Sequence, residues 1–458
     1  MTTLFQRLPV VVMLAAAICL SSLARADEIQ LTPKQMREDL AVLRSKWAPL
    51  DKSLTVDHRR AFETHVAKIE SGVETLTPKA FAMEVMRAVA IAGNGHTSAN
   101  IGPYLGRDLP IRAWWFADGL YVVKAHPDFA RLIGARIDRL GSLSASQAQA
   151  RLEPYLAGTD QRTRFLGPGY LVTPRILEHI GAVDGTASIP LTLLLRNGTT
   201  ETLHLATSED DPCDERKTGL NRGYSVLIPD PSDTAGRWPH VLDGAPDISK
   251  GYLKRSDVAA AFLDDTKTIL YIRNDTVDNV GDTLLVEKFG SIIQNMILPS
   301  RPKHVLVDLR LNNGGDFFNS ILFTQALPRL LPRDGRIFVL VSRATFSAGI
   351  VTAAMLKGNG RERVTFIGEP MGDGGQFWAE GGKITLPHSK VVVRYSTEFE
   401  DYETGCTDFR LCYWATVAFG PRGISISPDI MIDLTFAEYA EGRDPVLEKA
   451  VELAKQEY

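Results

Sequence analysis

Cysteine is scarce in this chain, with four in 458 residues, at positions 19, 213, 406 and 412. So few thiols exclude a small disulfide-built scaffold, and stability has to come from buried apolar surface. An excess of charge of either sign is also missing: 51 Lys and Arg face 55 Asp and Glu, a formal net charge of −4. A nucleic-acid-binding protein needs a basic face, so that class of partner is excluded. Long apolar runs are absent except at the start, where Arg7 leads into Leu8 to Leu23 and Ala24-Arg25-Ala26 stands before Asp27. A charged start, a short apolar run and a small-x-small cleavage site make a secretory leader of residues 1–26, with too short an apolar run for a stable membrane anchor. The mature chain is therefore expected to be exported, either periplasmic or secreted. In an oxidising compartment Cys406 and Cys412 are positioned to close a small loop in GCTDFRLCYW, leaving Cys213 free. That segment holds no histidine, which disfavours a metal.

What is present is ordinary for a globular protein of two or three domains: 44% hydrophobic and 23% charged residues. Residues 27–100 read as a helical region ending in the loop GNGHTSA, and Leu31-Thr32-Pro33 and Leu76-Thr77-Pro78 are helix starts with a threonine cap before proline. Residues 101–206 alternate in the manner of strands, and Asn197-Gly198 turns a hairpin. Residues 207–267 read as an irregular connection. From 268 to 446 the pattern becomes βα, with TILYIRN, KHVLVDLRL, GRIFVLVS and RVTFIG as strands separated by helices. Continuous apolar strands of this kind belong to a parallel sheet covered on both faces, so the fold class is α/β.

Three stretches carry chemistry. Ser347, in TFSAG, stands where a strand hands over to a helix. A serine there serves either as an N-cap or as a nucleophile placed before a positive helix end. Gly314-Gly315, in DLRLNNGGD, can expose backbone N–H groups to a ligand; the missing lysine argues against a phosphate loop. Thr345 replaces the first glycine of a G-x-S-x-G elbow, which disfavours an α/β-hydrolase. His96, in the GNGHTSA loop, is either a surface histidine or a general base.

Taken together these segments resemble the S41 serine peptidases, the family of the C-terminal processing (tail-specific) and tricorn-core proteases. Its D-x-R-x-N-x-G-G signature is matched by Asp308, Arg310, Asn312, Gly314 and Gly315, and its T-x-S-A nucleophile segment by Thr345 to Ala348. GEPMGDGG resembles the following glycine turn, with Met371 replacing a threonine, and GISISPDI a stretched G-I-x-P-D. The resemblance implies a ClpP/crotonase-like βα core, an N-terminal helical region and an inserted PDZ-like domain (101–206), one turn of which GARIDRLGSLSASQA resembles. It also implies Ser347 as nucleophile, an oxyanion hole from the backbone of Ala348 with Gly314 or Gly315, polypeptide substrates, and no cofactor or metal. The tail-specific branch takes its base from a lysine in a G-K-G turn, which here is Gly372-Asp373-Gly374. Lys357 is ten residues beyond Ser347 and too far along its helix. The tricorn-like branch uses a histidine, for which His96 is the match. Gly95 replaces that branch's serine, and Val417-Ala418-Phe419 stand where its glutamate belongs. Glu398, Glu400 and Glu403 remain as possible orienting carboxylates. A histidine base implies activity rising through a pKa of about 6 to 7. In the PDZ-like region, the Gly119-Leu120 loop resembles a receiver of substrate C-termini. Trp114, Trp115 and Phe116 read as core packing or as the wall of an apolar groove. The expected function is an exported serine endopeptidase with a Ser347–His96 dyad; the alternative is a non-catalytic or weakly catalytic peptide- or ligand-binding protein on the same scaffold.

Overall fold

The computed structural model describes residues 29–207, 226–229, 237–245, 248–252 and 258–456. Residues 1–26, read from sequence as a leader, Cys213 and most of the connection after residue 207 lie outside the described residues.

Three helices come first: α1 (Pro33–Val42), α2 (Val56–Gly72) and α3 (Pro78–Ala90). Thr32 and Thr77 cap α1 and α3 by accepting from the N–H of Gln35 and Ala80, with proline at the first helical position in both. An antiparallel sheet follows, built from β1 (Ile111–Phe116), β2 (Gly119–Ala125), β3 (Arg136–Leu140), β4 (Ile189–Leu194) and β5 (Thr200–Leu205) in that order. β4 and β5 form the hairpin at Asn197-Gly198, where Gly198 takes a φ of +83° that glycine adopts without strain. Between β3 and β4 run α4 (Ala145–Leu152), capped by Ser144, and α5 (Asp160–Leu171), capped by Thr159.

The second large sheet has six strands in the order β15-β10-β9-β8-β7-β6: β6 (Val258–Phe262), β7 (Ile269–Asn274), β8 (His304–Asp308), β9 (Ile337–Val341), β10 (Val364–Gly368) and β15 (Ile430–Met431). All neighbours pair in parallel except β6, which is antiparallel to β7. The strand β6 lies inside the stretch read from sequence as irregular. Its three consecutive alanines have low strand propensity, and edge pairing with β7 supplies what propensity does not. Successive β8 side chains enter opposite cores. Val305 and Val307 join Phe289 of α6 (Leu285–Ile292), Phe323 of α7 (Phe318–Leu330) and Ile350 of α8 (Ala348–Gly360). Leu306 turns the other way, towards Val446 and Ala450 of α10 (Pro445–Lys455). That double burial is why these strands are apolar throughout.

Beyond β10 the chain makes β11 (Gln376–Ala379), β12 (Gly382–Thr385), β13 (Val392–Tyr395), β14 (Glu398–Asp401) and the short helix α9 (Trp414–Phe419). β12 and β13 leave the large sheet's surroundings: Val393 and Leu386 are buried in one core with Leu40, Phe62 and Val85 of the N-terminal helices. β13 also pairs with Ala99–Asn100, immediately after the GNGHTSA loop. Cys406 and Cys412 are joined by a disulfide. Among the described residues no helix is long and apolar enough to cross a membrane.

Candidate active site

The DLRLNNGGD motif is built from inside outwards. Asp308 ends β8, and with Arg310 and Asp444 it forms a buried ion cluster. Arg310 Nε and Nη2 donate to Asp308 (3.0 and 2.6 Å), while Nη1 and Nη2 donate to Asp444 (2.7 and 2.8 Å). The Tyr271 hydroxyl adds a bond to Asp308 Oδ2 at 2.7 Å. The cation holds Asp308 below the usual carboxylate range against its burial, and the two carboxylates raise Arg310 well above its own. Two residues on, Asn312 donates from Nδ2 to the Asn274 carbonyl and accepts the Gly314 N–H on Oδ1 (3.1 and 3.0 Å). Its own carbonyl takes the Phe346 N–H at 2.9 Å. These residues of the signature therefore hold two loops together and leave the reacting volume to others.

Ser347 sits in that volume. Its backbone is at φ 52°, ψ −127°, a region costly for any residue with a Cβ, and its side chain makes no capping hydrogen bond. The N-cap reading is thereby overturned. The turn before it is pinned by Thr345, whose Oγ1 donates to the Leu309 carbonyl at 2.8 Å and accepts the Ser342 N–H at 3.0 Å. A Cβ on Gly314 would lie 2.8 Å from Ser347 Cβ, 3.2 Å from its Oγ and 3.3 Å from the Ala348 nitrogen, so only glycine fits this wall. The Gly314 N–H is committed to Asn312, whereas the amides of exposed Gly315 and of Ala348, the first residue of α8, are among those with no partner in the described residues.

The GNGHTSA loop packs against this turn. Asn94 Nδ2 donates to Thr97 and Ser396, its Oδ1 accepts the Trp378 N–H, and Thr97 donates to the buried Asp51 at 2.7 Å. Held at both ends, His96 stacks on Phe346, the residue before Ser347, with ring centroids 4.4 Å apart, and on Phe377 at 5.5 Å. Part of His96 reaches the surface, but both ring nitrogens are shut away from solvent and have no hydrogen-bond partner. No hydrogen bond joins His96 to Ser347. Burial, with Arg162 and Arg394 nearby, lowers its pKa to about 3, so the ring stays neutral. The direction of that shift runs against the acid limb near pH 6 to 7 that an unperturbed histidine would give.

Two further side chains here had no sequence signal. Arg162, buried on α5, donates to Asn313 Oδ1 at 2.7 Å and lies 3.7 Å over the Phe346 ring. Asp373 takes the Gly374 N–H on Oδ1 at 3.0 Å, while its Oδ2 is buried without a partner; burial raises its pKa to about 6. Arg162 looks like any helical arginine in the sequence, and Asp373 registered only as a missing lysine.

The three glutamates divide differently. Glu400 is buried and accepts from the Tyr402 and Thr416 hydroxyls, and burial pushes it up to about 7. Glu403 is exposed beside Gly375, and Glu398 is half-buried opposite Ala379. None bonds His96, whose ring nitrogens are free. Lys357 is tied to the Val364 carbonyl and Asp429, both at the far end of α8. The Gly119-Leu120 loop is a tight β1–β2 hairpin tied to a later segment: Ala117 N–H donates to the Leu434 carbonyl and Phe436 N–H to Asp118. Ala117 and Asp118 at its tip are exposed, and Trp114, Trp115 and Phe116 are core residues. Among the described residues no group of three or more His, Cys, Asp or Glu side chains is arranged to hold a metal ion.

No family model and no curated protein matches the sequence. Among solved structures, mature CPAF complexed with lactacystin aligns with a TM-score of 0.56 at 12% identity, over 92% of this chain and 98% of that one. A point mutant of CPAF gives 0.58 at 11%, over 93% and 98%. The photosystem II D1 C-terminal processing protease gives a looser 0.36 at 14%, over 88% and 93%. The chain therefore has the same overall fold as CPAF.

Proposed function

We propose that this protein is an exported serine endopeptidase in which Ser347 is the nucleophile and His96 the base, with Ala348 and Gly315 supplying the oxyanion hole and Gly314 its wall. The observation that carries the reading is the uncapped serine, held at positive φ at the start of α8 against the Gly314 wall, with His96 packed on its neighbour Phe346. For catalysis the His96 ring turns off Phe346 towards Ser347, an adjustment of the kind that substrate binding supplies where resting hydrogen bonds are absent. Ser347 Oγ then gives its proton to a ring nitrogen and attacks the peptide carbonyl, whose π electrons move to the oxygen facing the two amides. Collapse breaks the C–N bond, the leaving amine takes the proton from His96, and water repeats the sequence to release the acid. The leader at 1–26 and the Cys406–Cys412 disulfide support export. The 101–206 segment is read as the PDZ-like insert, and recognition of a substrate's C-terminus is not assigned to its hairpin, whose Ala117 amide is already engaged by the Leu434 carbonyl.

The free nitrogens of His96, which do not touch Ser347, also favour a second reading, a binding protein on a peptidase scaffold. Turnover decides between them. The purified mature chain is expected to hydrolyse fluorogenic peptide amides, with Ser347→Ala losing at least about 1,000-fold in kcat and His96→Ala nearly as much. Ligand binding without Ser347-dependent hydrolysis would establish the second reading.

A further inference from the structure

Seven buried side-chain nitrogen or oxygen atoms among the described residues have no hydrogen-bond partner, and four belong to this site: both ring nitrogens of His96, Arg162 Nε and Asp373 Oδ2. Buried polar groups are normally paired, so a cluster of unpaired ones marks a place where bonds are to be made. The Asp373 loop is fixed: Gly372 N–H donates to the Thr345 carbonyl and Thr159 Oγ1 to the Gly372 carbonyl, both at 2.9 Å. One carboxylate oxygen is engaged by Gly374 and the other faces the residue before His96. A Cβ on Gly95 would lie 3.1 Å from that Oδ2 and 2.9 Å from the Phe346 ring. The volume a side chain at position 95 would occupy is thus filled by the Asp373 carboxylate and the ring on which His96 stacks.

We propose that Asp373 is the positioning carboxylate of His96, its free Oδ2 accepting the N–H of one ring nitrogen when the ring turns towards Ser347, which leaves the other nitrogen for the serine proton. The inference rests on the reading of Ser347 and His96 as nucleophile and base. Its rivals lack what Asp373 has: Glu400 is committed to Tyr402 and Thr416, and Glu403 is exposed. The charged groups that face the pair are Arg162 from α5 and Arg394 from β13. Both oppose a charge on His96, and Arg162 favours the ionised Asp373. A carboxylate beside the ring offsets that repulsion when His96 takes the proton. Since burial raises Asp373 to about 6, activity should fall as pH drops through that region because Asp373 is protonated.

The test is the rate of fluorophosphonate labelling of the mature chain from pH 4.5 to 9, for the unaltered protein, Asp373→Asn, Gly95→Ala and Ser347→Ala, with melting temperatures alongside. The expected result is Ser347-dependent labelling with an acid limb near pH 6. In Asp373→Asn the rate should drop at least about 100-fold and the limb disappear. Gly95→Ala, which keeps the carboxylate but crowds it, should slow labelling at least about tenfold. An unaltered rate and pH profile in whichever of these two variants folds would overturn the role of Asp373 while leaving the Ser347–His96 reading intact. Labelling that persists in Ser347→Ala, or none in the unaltered protein, would overturn both.

Discussion

Ser347 and Arg361 bracket α8 with nearly the same backbone angles, 52° and −127° against 51° and −126°. Strain alone therefore does not mark a nucleophile. At Arg361 the turn ends a helix and leads on to β10. At Ser347 the same turn aims a free hydroxyl at the Gly314 wall, beside the uncommitted Ala348 and Gly315 amides. The sequence could suggest Ser347, His96 and the two glycines by residue type and order. It could not show which glycine keeps a free amide, because that depends on Asn312 capturing Gly314. Nor could it reveal Arg162 and Asp373, whose positions come from loops packed across the site. Gly314→Ala tests the residue-level account. Its Cβ would press on Ser347 Cβ and force an alanine to φ +112°, so stability should fall by about 1–3 kcal/mol and kcat by about 100-fold. Full activity with unchanged urea denaturation would show that the wall is not in contact with the reacting serine.

The elements that were most legible are those whose pattern reports a single physical demand. Parallel strands buried on both faces leave apolar runs, and threonine followed by proline leaves a cap. The edge strand β6 was not legible because pairing rather than propensity makes it, and the site loops because their conformation is imposed by the Asp308–Arg310–Asp444 cluster. That cluster ties the end of β8 to the start of α10 and so fixes the turn leading to Gly314. Removing the cation would leave two buried carboxylates facing each other. Arg310→Leu is therefore expected to lose about 3–5 kcal/mol in chemical denaturation, and activity with it. A loss below about 1 kcal/mol would mean that the turn is held by Asn312 and Thr345 without the cluster.

At the scale of the molecule, the serine and the histidine belong to different cores. Ser347 rides on the large parallel sheet, whereas the His96 loop is anchored by Asp51 and Ser396 in the core shared by the N-terminal helices and β13. Bringing the two together is a property of the whole chain, so local stretches of sequence name the candidates without showing that they meet. The most direct test is a crystal structure of the mature protein after reaction with a fluorophosphonate. A single phosphonyl group is expected on Ser347 Oγ, with one phosphonyl oxygen about 2.7–3.1 Å from the Ala348 and Gly315 nitrogens and the His96 ring turned off Phe346 towards Oγ. An adduct on another residue, or a phosphonyl oxygen directed away from both amides, would contradict the account.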